Sequence, residues 1–138
     1  MTEKELIREA LKGRKNAVAP YSGFAVGAAL LTKSGAVYIG CNMENGAYSP
    51  SLCAERVAFG SAVAAGAREF SAIAVIGEGE DYCWPCGVCR QVMAEFCGDD
   101  FRVIAAKNEE DFVTVPLGEL LPHAFRLGKK QRHFSGKN

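Results

Sequence analysis

Two short stretches hold the residues best suited to metal-assisted chemistry: Ser51-Leu52-Cys53-Ala54-Glu55-Arg56 and Trp84-Pro85-Cys86-Gly87-Val88-Cys89. A Cys-x-x-Cys pair sets its thiols three residues apart, so on a first helical turn both sulfurs face one side of a bound ion. Cys53 offers a third. Three thiolates fill three of the four positions that tetrahedral zinc prefers and leave the last for water, the pattern of a catalytic site. Glu55 is then the candidate proton carrier. Residues two apart on a helix diverge by about 200° at ~3.6 residues per turn, so Glu55 reaches that water only from a helix's first turn.

Other readings of the same thiols stay open at this point. Cys83 extends the spacing to Cys83-x-x-Cys86-x-x-Cys89, which with Cys53 would close a four-thiolate structural zinc site or hold an iron-sulfur cluster. A redox pair is a further reading, although a thioredoxin-like motif needs no Cys53-Ala54-Glu55 companion. Cys41 and Cys97 read as ordinary buried thiols. A zinc ion ringed by three thiolates carries net negative charge, which weakens it as a Lewis acid and calls for a nearby cation. Arg56 is the first candidate to donate to the sulfurs and Arg90 the second.

The elements that must hold these groups are legible as patterns. Residues 3–18 carry Leu6, Ile7, Ala10 and Leu11 at helical spacing, with Thr2 and Glu5 placed for a capping box. Residues 24–31 read as a strand whose small side chains admit close approach by another backbone or a ligand. Lys33-Ser34-Gly35 is a turn, so 36–41 should return antiparallel. The polar segment 42–50 is a loop suited to ligand contacts. Ser49 and Pro50 resemble the cap and first residue of a buried second helix that Gly66 ends. The apolar run 71–76 reads as a central strand covered on both faces. A helix follows the cysteine cluster up to Gly98, residues 101–105 and 112–115 are further strands, and 117–121 is a short helix. This order predicts one α/β domain over 1–138, three layers (α/β/α) around a mixed sheet of about five strands, with 129–138 a polar, poorly ordered tail.

Composition narrows the function classes. In 138 residues, 16 Lys plus Arg balance 16 Asp plus Glu, so no broad basic surface exists for a phosphate backbone. Nucleic acid is not an expected partner. No apolar run approaches the ~18 residues of a membrane span, and the charged start lacks a leader's apolar stretch. A soluble, cytoplasmic protein with reduced thiols is the expectation.

Cys-Ala-Glu-Arg at 53–56 and Pro-Cys-Gly-Val-Cys-Arg-Gln-Val at 85–92 closely resemble the zinc-dependent cytidine deaminases, the small homotetrameric kind acting on free nucleosides. The likeness runs from Ala19-Pro20-Tyr21-Ser22 and Phe24-Ala-Val-Gly-Ala-Ala-Leu through Gly40-Cys-Asn-Met-Glu-Asn45 to Glu119-Leu-Leu-Pro122. It implies that Cys53, Cys86 and Cys89 hold one Zn2+ per chain and that Glu55 shuttles protons. It implies that Asn42 and Glu44 bond the ribose hydroxyls, that Phe24 packs near the pyrimidine, and that the Ala54 backbone reads its edge. Tyr48 and Phe125 resemble residues that reach into a neighbouring subunit's site. The implied reaction is hydrolytic deamination of cytidine and 2′-deoxycytidine to uridine and 2′-deoxyuridine with release of ammonia, a step of pyrimidine salvage. A deaminase of another amino-heterocycle, such as a nucleoside antibiotic, and a non-enzymatic four-Cys zinc module are the alternatives.

Overall fold

The structure is a computed structural model that describes residues 1–127. The expected tail at 129–138 lies outside the described residues. Helix α1 spans Glu3–Arg14 and opens on the expected capping box: Glu5 N–H donates to Thr2 Oγ1 at 3.1 Å and Thr2 N–H donates to Glu5 Oε1 at 2.9 Å. It stops short of the Val18 end that the apolar spacing suggests. Val18 is taken by a parallel bridge to Met43, with its N–H on the Asn42 carbonyl at 2.9 Å, so this stretch is drawn out along the loop.

Strands β1 (Val26–Thr32) and β2 (Val37–Cys41) form the predicted hairpin around Gly35, which sits at φ +99°. Helix α2 (Ala54–Ala64) is followed by β3 (Phe70–Gly77), α3 (Gly87–Phe96), β4 (Arg102–Ala106), β5 (Phe112–Pro116) and the short α4 (Leu117–Leu120). The sheet order is β2-β1-β3-β4-β5; β3 and β4 run parallel and every other pair antiparallel. This is the predicted mixed five-stranded sheet, with β3 at its centre.

Period-two alternation makes the layers. Ala28, Leu30, Ile73, Val75 and Val103 point to one face and pack with Phe59 of α2 and Met93 of α3. Ala29, Leu31, Ala72, Ala74, Ile76 and Ile104 point to the other and pack with Leu6, Ile7 and Ala10 of α1. Phe59 stacks on Phe96 with ring centroids 5.8 Å apart and meets Phe70 edge-on at 5.1 Å. Phe59 and Phe70 are buried, each ring contributing about 1.5–3 kcal/mol, and the contact with the partly buried Phe96 packs α2 against α3, which helps hold their two N-termini in fixed relation.

Two glycines set the depth of that packing. A Cβ at Gly27 would run into the Ala10 carbonyl oxygen, and one at Gly40 into the Ala54 carbonyl oxygen with Ala58 N only 2.6 Å away. Helix α1 therefore rests directly on β1, and the first turn of α2 on β2. Gly27 is one of the small residues expected to admit another backbone, whereas Gly40 lies outside that stretch.

Candidate metal and nucleoside site

Helix α2 begins at Ala54 with Cys53 as its N-cap, not at Pro50. Leu52 is held in an extended bridge with Met43, each N–H donating to the other's carbonyl at 3.0 Å, and Tyr48 at φ +65° closes a turn with the Ser51 N–H on its carbonyl. Those bonds claim the backbone that a Ser49-capped helix would need. The later start puts Glu55 at the second helical position, consistent with the requirement that it reach from a first turn. Helix α3 repeats the device, with Cys86 as N-cap and Cys89 in its first turn. At its far end, α2 terminates at Gly66 (φ +96°) with Ala67 N–H on the Ala62 carbonyl and Gly66 N–H on the Val63 carbonyl, a Schellman closure.

The three sulfurs converge. Cys53 Sγ lies 3.9 Å from Cys86 Sγ, Cys86 Sγ lies 3.5 Å from Cys89 Sγ, and all three fall within 4.8 Å of one another. Zinc–sulfur bonds of ~2.3 Å in a tetrahedron put sulfurs ~3.8 Å apart, so this donor set fits zinc in number, chemistry and spacing. Two helix N-termini, each without a side-chain cap bond, add partial positive charge that favours thiolate. Among the described residues Cys83 is not part of the cluster. It is half-buried in the cleft wall, and burial pushes its thiol up to about 11. A four-thiolate site is therefore not assembled here. Cys97 is buried, as expected, and its thiol is pushed up by that burial, whereas Cys41 is only half-buried.

Charge in the cluster is arranged around Arg56. One Nη donates toward Cys53 Sγ and the Ser51 carbonyl, each at 3.5 Å, while its buried Nε has no partner. Without a metal, bonds from the Cys89 thiol and from Arg56 draw the Cys53 thiol down to about 5, and the same sharing together with burial drives Cys89 upward. A half-buried cation with an unused, buried N–H beside these sulfurs suits a centre of net negative charge. Arg90, the other candidate, is engaged elsewhere: its Nε donates to the Pro85 carbonyl at 2.7 Å and an Nη to the Leu120 carbonyl at 2.8 Å. It braces the loop that carries Cys86.

Glu55 is 4% exposed, and burial raises its carboxyl to about 7, with the Cys53 thiolate adding to the effect. It lines a cleft of about 320 Å³ together with Ser22, Phe24, Val26, Asn42, Glu44, Ser51, Leu52, Cys53, Ala54, Arg56, Cys83, Trp84 and Cys86. A second cavity of about 300 Å³, bordered by Lys33, Arg68, Phe96 and Arg102, holds none of the expected site residues.

Phe24 precedes β1 instead of lying within it. Gly23 turns the chain at φ +69°, and the Phe24 ring, 41% exposed, lies against the bare backbone of Gly77 and Gly79. Asn42 Nδ2 donates to the Phe24 carbonyl at 2.9 Å and its Oδ1 accepts the Val26 N–H at 2.8 Å. Glu44 accepts the N–H groups of Tyr21 and Ser22, each at 3.0 Å, and the Ser22 hydroxyl, contacts that hold its carboxyl below the usual range. Tyr48 (78% exposed) and Phe125 (68% exposed) stand outside the cleft of their own chain. Ser22 and Trp84 also line the cleft, although residue type and spacing single out neither of them. The Tyr21-Ser22 pair is visible as a motif in the sequence, but the reach of its hydroxyl to Glu44 is not.

Residues 1–106 match the family described as the cytidine and deoxycytidylate deaminase zinc-binding region. The chain is 48% identical to a cytidine deaminase of Sporosarcina psychrophila over 91% of its own length and 92% of that protein's. It is 46% identical to one of Halalkalibacterium halodurans, over 91% and 95%. Among solved structures, a cytidine deaminase from Burkholderia pseudomallei superposes with a TM-score of 0.87 at 49% identity, covering 91% of this chain and 100% of that one. One from Mycobacterium tuberculosis gives 0.82 at 35%, covering 92% and 99%. A match to that family's zinc-binding region, a mixed sheet that places three converged cysteines at two helix N-termini, and relatives matched over nearly their whole length together make this chain a member of the cytidine and deoxycytidylate deaminase family.

Proposed function

We propose that this protein catalyses the hydrolytic deamination of free cytidine and 2′-deoxycytidine, giving uridine or 2′-deoxyuridine and ammonia, as a step of pyrimidine salvage. The observation that carries the reading is Glu55: a buried carboxyl, pushed up to about 7, that lines an open cleft beside three converged thiols.

Cys53, Cys86 and Cys89 would hold one zinc ion per chain, which when bound supplies the Lewis acidity that makes water a nucleophile at neutral pH. Glu55 takes one proton from the attacking water and delivers it to ring N3 as the nucleophile adds at C4; it then carries the remaining proton of the new C4 hydroxyl to the amine, which leaves as ammonia as the C4 carbonyl forms. One carboxylate serves both stages because burial favours its protonated form and so brings proton uptake and release within reach of each other. Arg56 offsets the sulfur charge. Phe24 and the Ala54 backbone orient the pyrimidine, and Asn42 and Glu44 take the sugar hydroxyls.

The surface positions of Tyr48 and Phe125 support a homotetramer in which each ring completes a neighbour's cleft. Residues 1–138 act as one domain in this reading, in the cytoplasm and without a nucleic-acid partner. No helix among the described residues is long and apolar enough to cross a membrane. The test follows ultraviolet absorbance as cytidine becomes uridine, with zinc measured per chain and mass measured by sedimentation. Turnover of either nucleoside with one zinc per chain supports the reading. A zinc-loaded protein inert on both nucleosides sinks it.

A further inference from the structure

Glu44 and Phe24 lie 20 residues apart in sequence, yet one hydroxyl joins them. The Ser22 hydroxyl donates to Glu44 Oε2 and accepts the Phe24 N–H at 3.0 Å. Glu44 Oε1 takes the N–H groups of Tyr21 and Ser22, each at 3.0 Å. A carboxylate offers about four lone-pair sites, so these three donors leave about one for a ligand hydroxyl.

Asn42 completes the linkage from the other side. Its Nδ2 holds the Phe24 carbonyl and its Oδ1 holds the Val26 N–H, leaving one donor and one acceptor lone pair free. The Phe24 backbone is therefore gripped at both ends, its N–H by Ser22 and its carbonyl by Asn42. The ring itself touches Gly77 and Gly79, where no side chain could compensate for a shift.

We infer that Ser22 is a positioning residue of this cleft: its hydroxyl aligns the Glu44 carboxylate toward the sugar and fixes the Phe24 backbone, so that sugar recognition and base packing are set together. The inference rests on the proposed nucleoside reading of Glu44 and Phe24. Hydrogen bonds in series polarise one another, and the charge on Glu44 strengthens the bond from Ser22. Neither the zinc ligands nor Glu55 takes part. Ser22 is itself exposed, so its replacement leaves the core intact.

The experiment compares Ser22→Ala, Ser22→Thr, Glu44→Gln and the double variant Ser22→Ala/Glu44→Gln as zinc-loaded enzymes on cytidine. A charge-assisted hydrogen bond corresponds to roughly a tenfold change in binding. Ser22→Ala raises KM about tenfold with kcat within about twofold of the parent, and Ser22→Thr, which keeps the hydroxyl, restores KM. The double variant is worse than Glu44→Gln alone by clearly less than the Ser22→Ala factor, because the serine acts in part through the carboxylate and in part through the Phe24 N–H. If Glu44→Gln raises KM while Ser22→Ala does not, or if the two losses multiply in the double variant, the serine's role is overturned and the sugar reading stands. If Glu44→Gln leaves KM unchanged, the sugar reading falls and the inference with it.

Discussion

At Glu55 two demands on one residue meet: a proton carrier at neutral pH needs a raised pKa, and a carboxyl that has lost its hydration acquires one. Its spacing from Cys53 alone implies a helix's first turn, but its 4% exposure comes from packing that no local pattern reports. The energetic consequence is measurable in metal-stripped protein. A carboxyl raised from 4.5 to about 7 keeps its proton in the folded state over that interval while the unfolded chain loses it. Stability from this group is thus intact below pH 4.5 and falls as pH rises through about 7. Glu55→Gln removes the dependence. In denaturant titrations of the stripped protein the variant should match the parent near pH ~5 and exceed it at pH ~8, by on the order of 2 kcal/mol; equal stabilities at both pH values would contradict the burial argument. The same variant, zinc-loaded, should lose nearly all turnover, since an amide carries no proton between water and leaving amine. Arg56→Ala should keep its zinc and lose activity by roughly tenfold to a hundredfold, the usual scale for residues that act on metal ligands. Unchanged kinetics with metal bound would remove Arg56 from the site's electrostatics.

Among the elements, those that depend on local pattern are legible in the sequence and those that depend on distant partners are less so. The capping box of α1, the β1–β2 hairpin, the central β3 and the close of α2 at Gly66 follow from short-range chemistry that the sequence displays. The two misplaced helix ends share one cause. Val18 falls at helical apolar spacing and Leu52 follows a Ser-Pro start signal, yet both are claimed by bridges to Met43, a contact that exists only once the loop has folded. Gly40 likewise reads as an ordinary strand residue, although it sets how deeply the first turn of α2 sits. Gly40→Ala forces its new carbon onto the Ala54 backbone and should cost roughly 1–3 kcal/mol, with zinc retention reduced because Cys53 is the adjoining residue. Gly60→Ala, in the same helix with nothing within 4 Å of the added carbon, should instead stabilise by about 0.5–1 kcal/mol. Thermal melts and zinc assays of the pair separate a packing effect from a propensity effect. If both variants melted alike, the close approach would not be limiting.

Over the whole molecule, the covered faces of the sheet account for the fold and the uncovered surface for the proposed assembly. Several apolar side chains remain out in solvent, Val18, Tyr21, Met43, Tyr48 and Phe125 among them, and Tyr21 and Met43 adjoin residues that line the cleft. A further consequence follows from having the donors on two separate helix starts. Cys53 and Cys86 lie 33 residues apart in sequence, with β3 threaded between them, so an ion binding both closes a loop that the backbone alone leaves open, much as a covalent crosslink would. Such a clasp has its full donor set only when the start of α3 lies beside the start of α2. Release should be correspondingly local. Under chelation, hydrogen exchange should accelerate first at the amides near 53–57 and 86–90, while those of β1 and β3 keep their protection; uniform loss across the sheet would show the ion to be a requirement for folding at large.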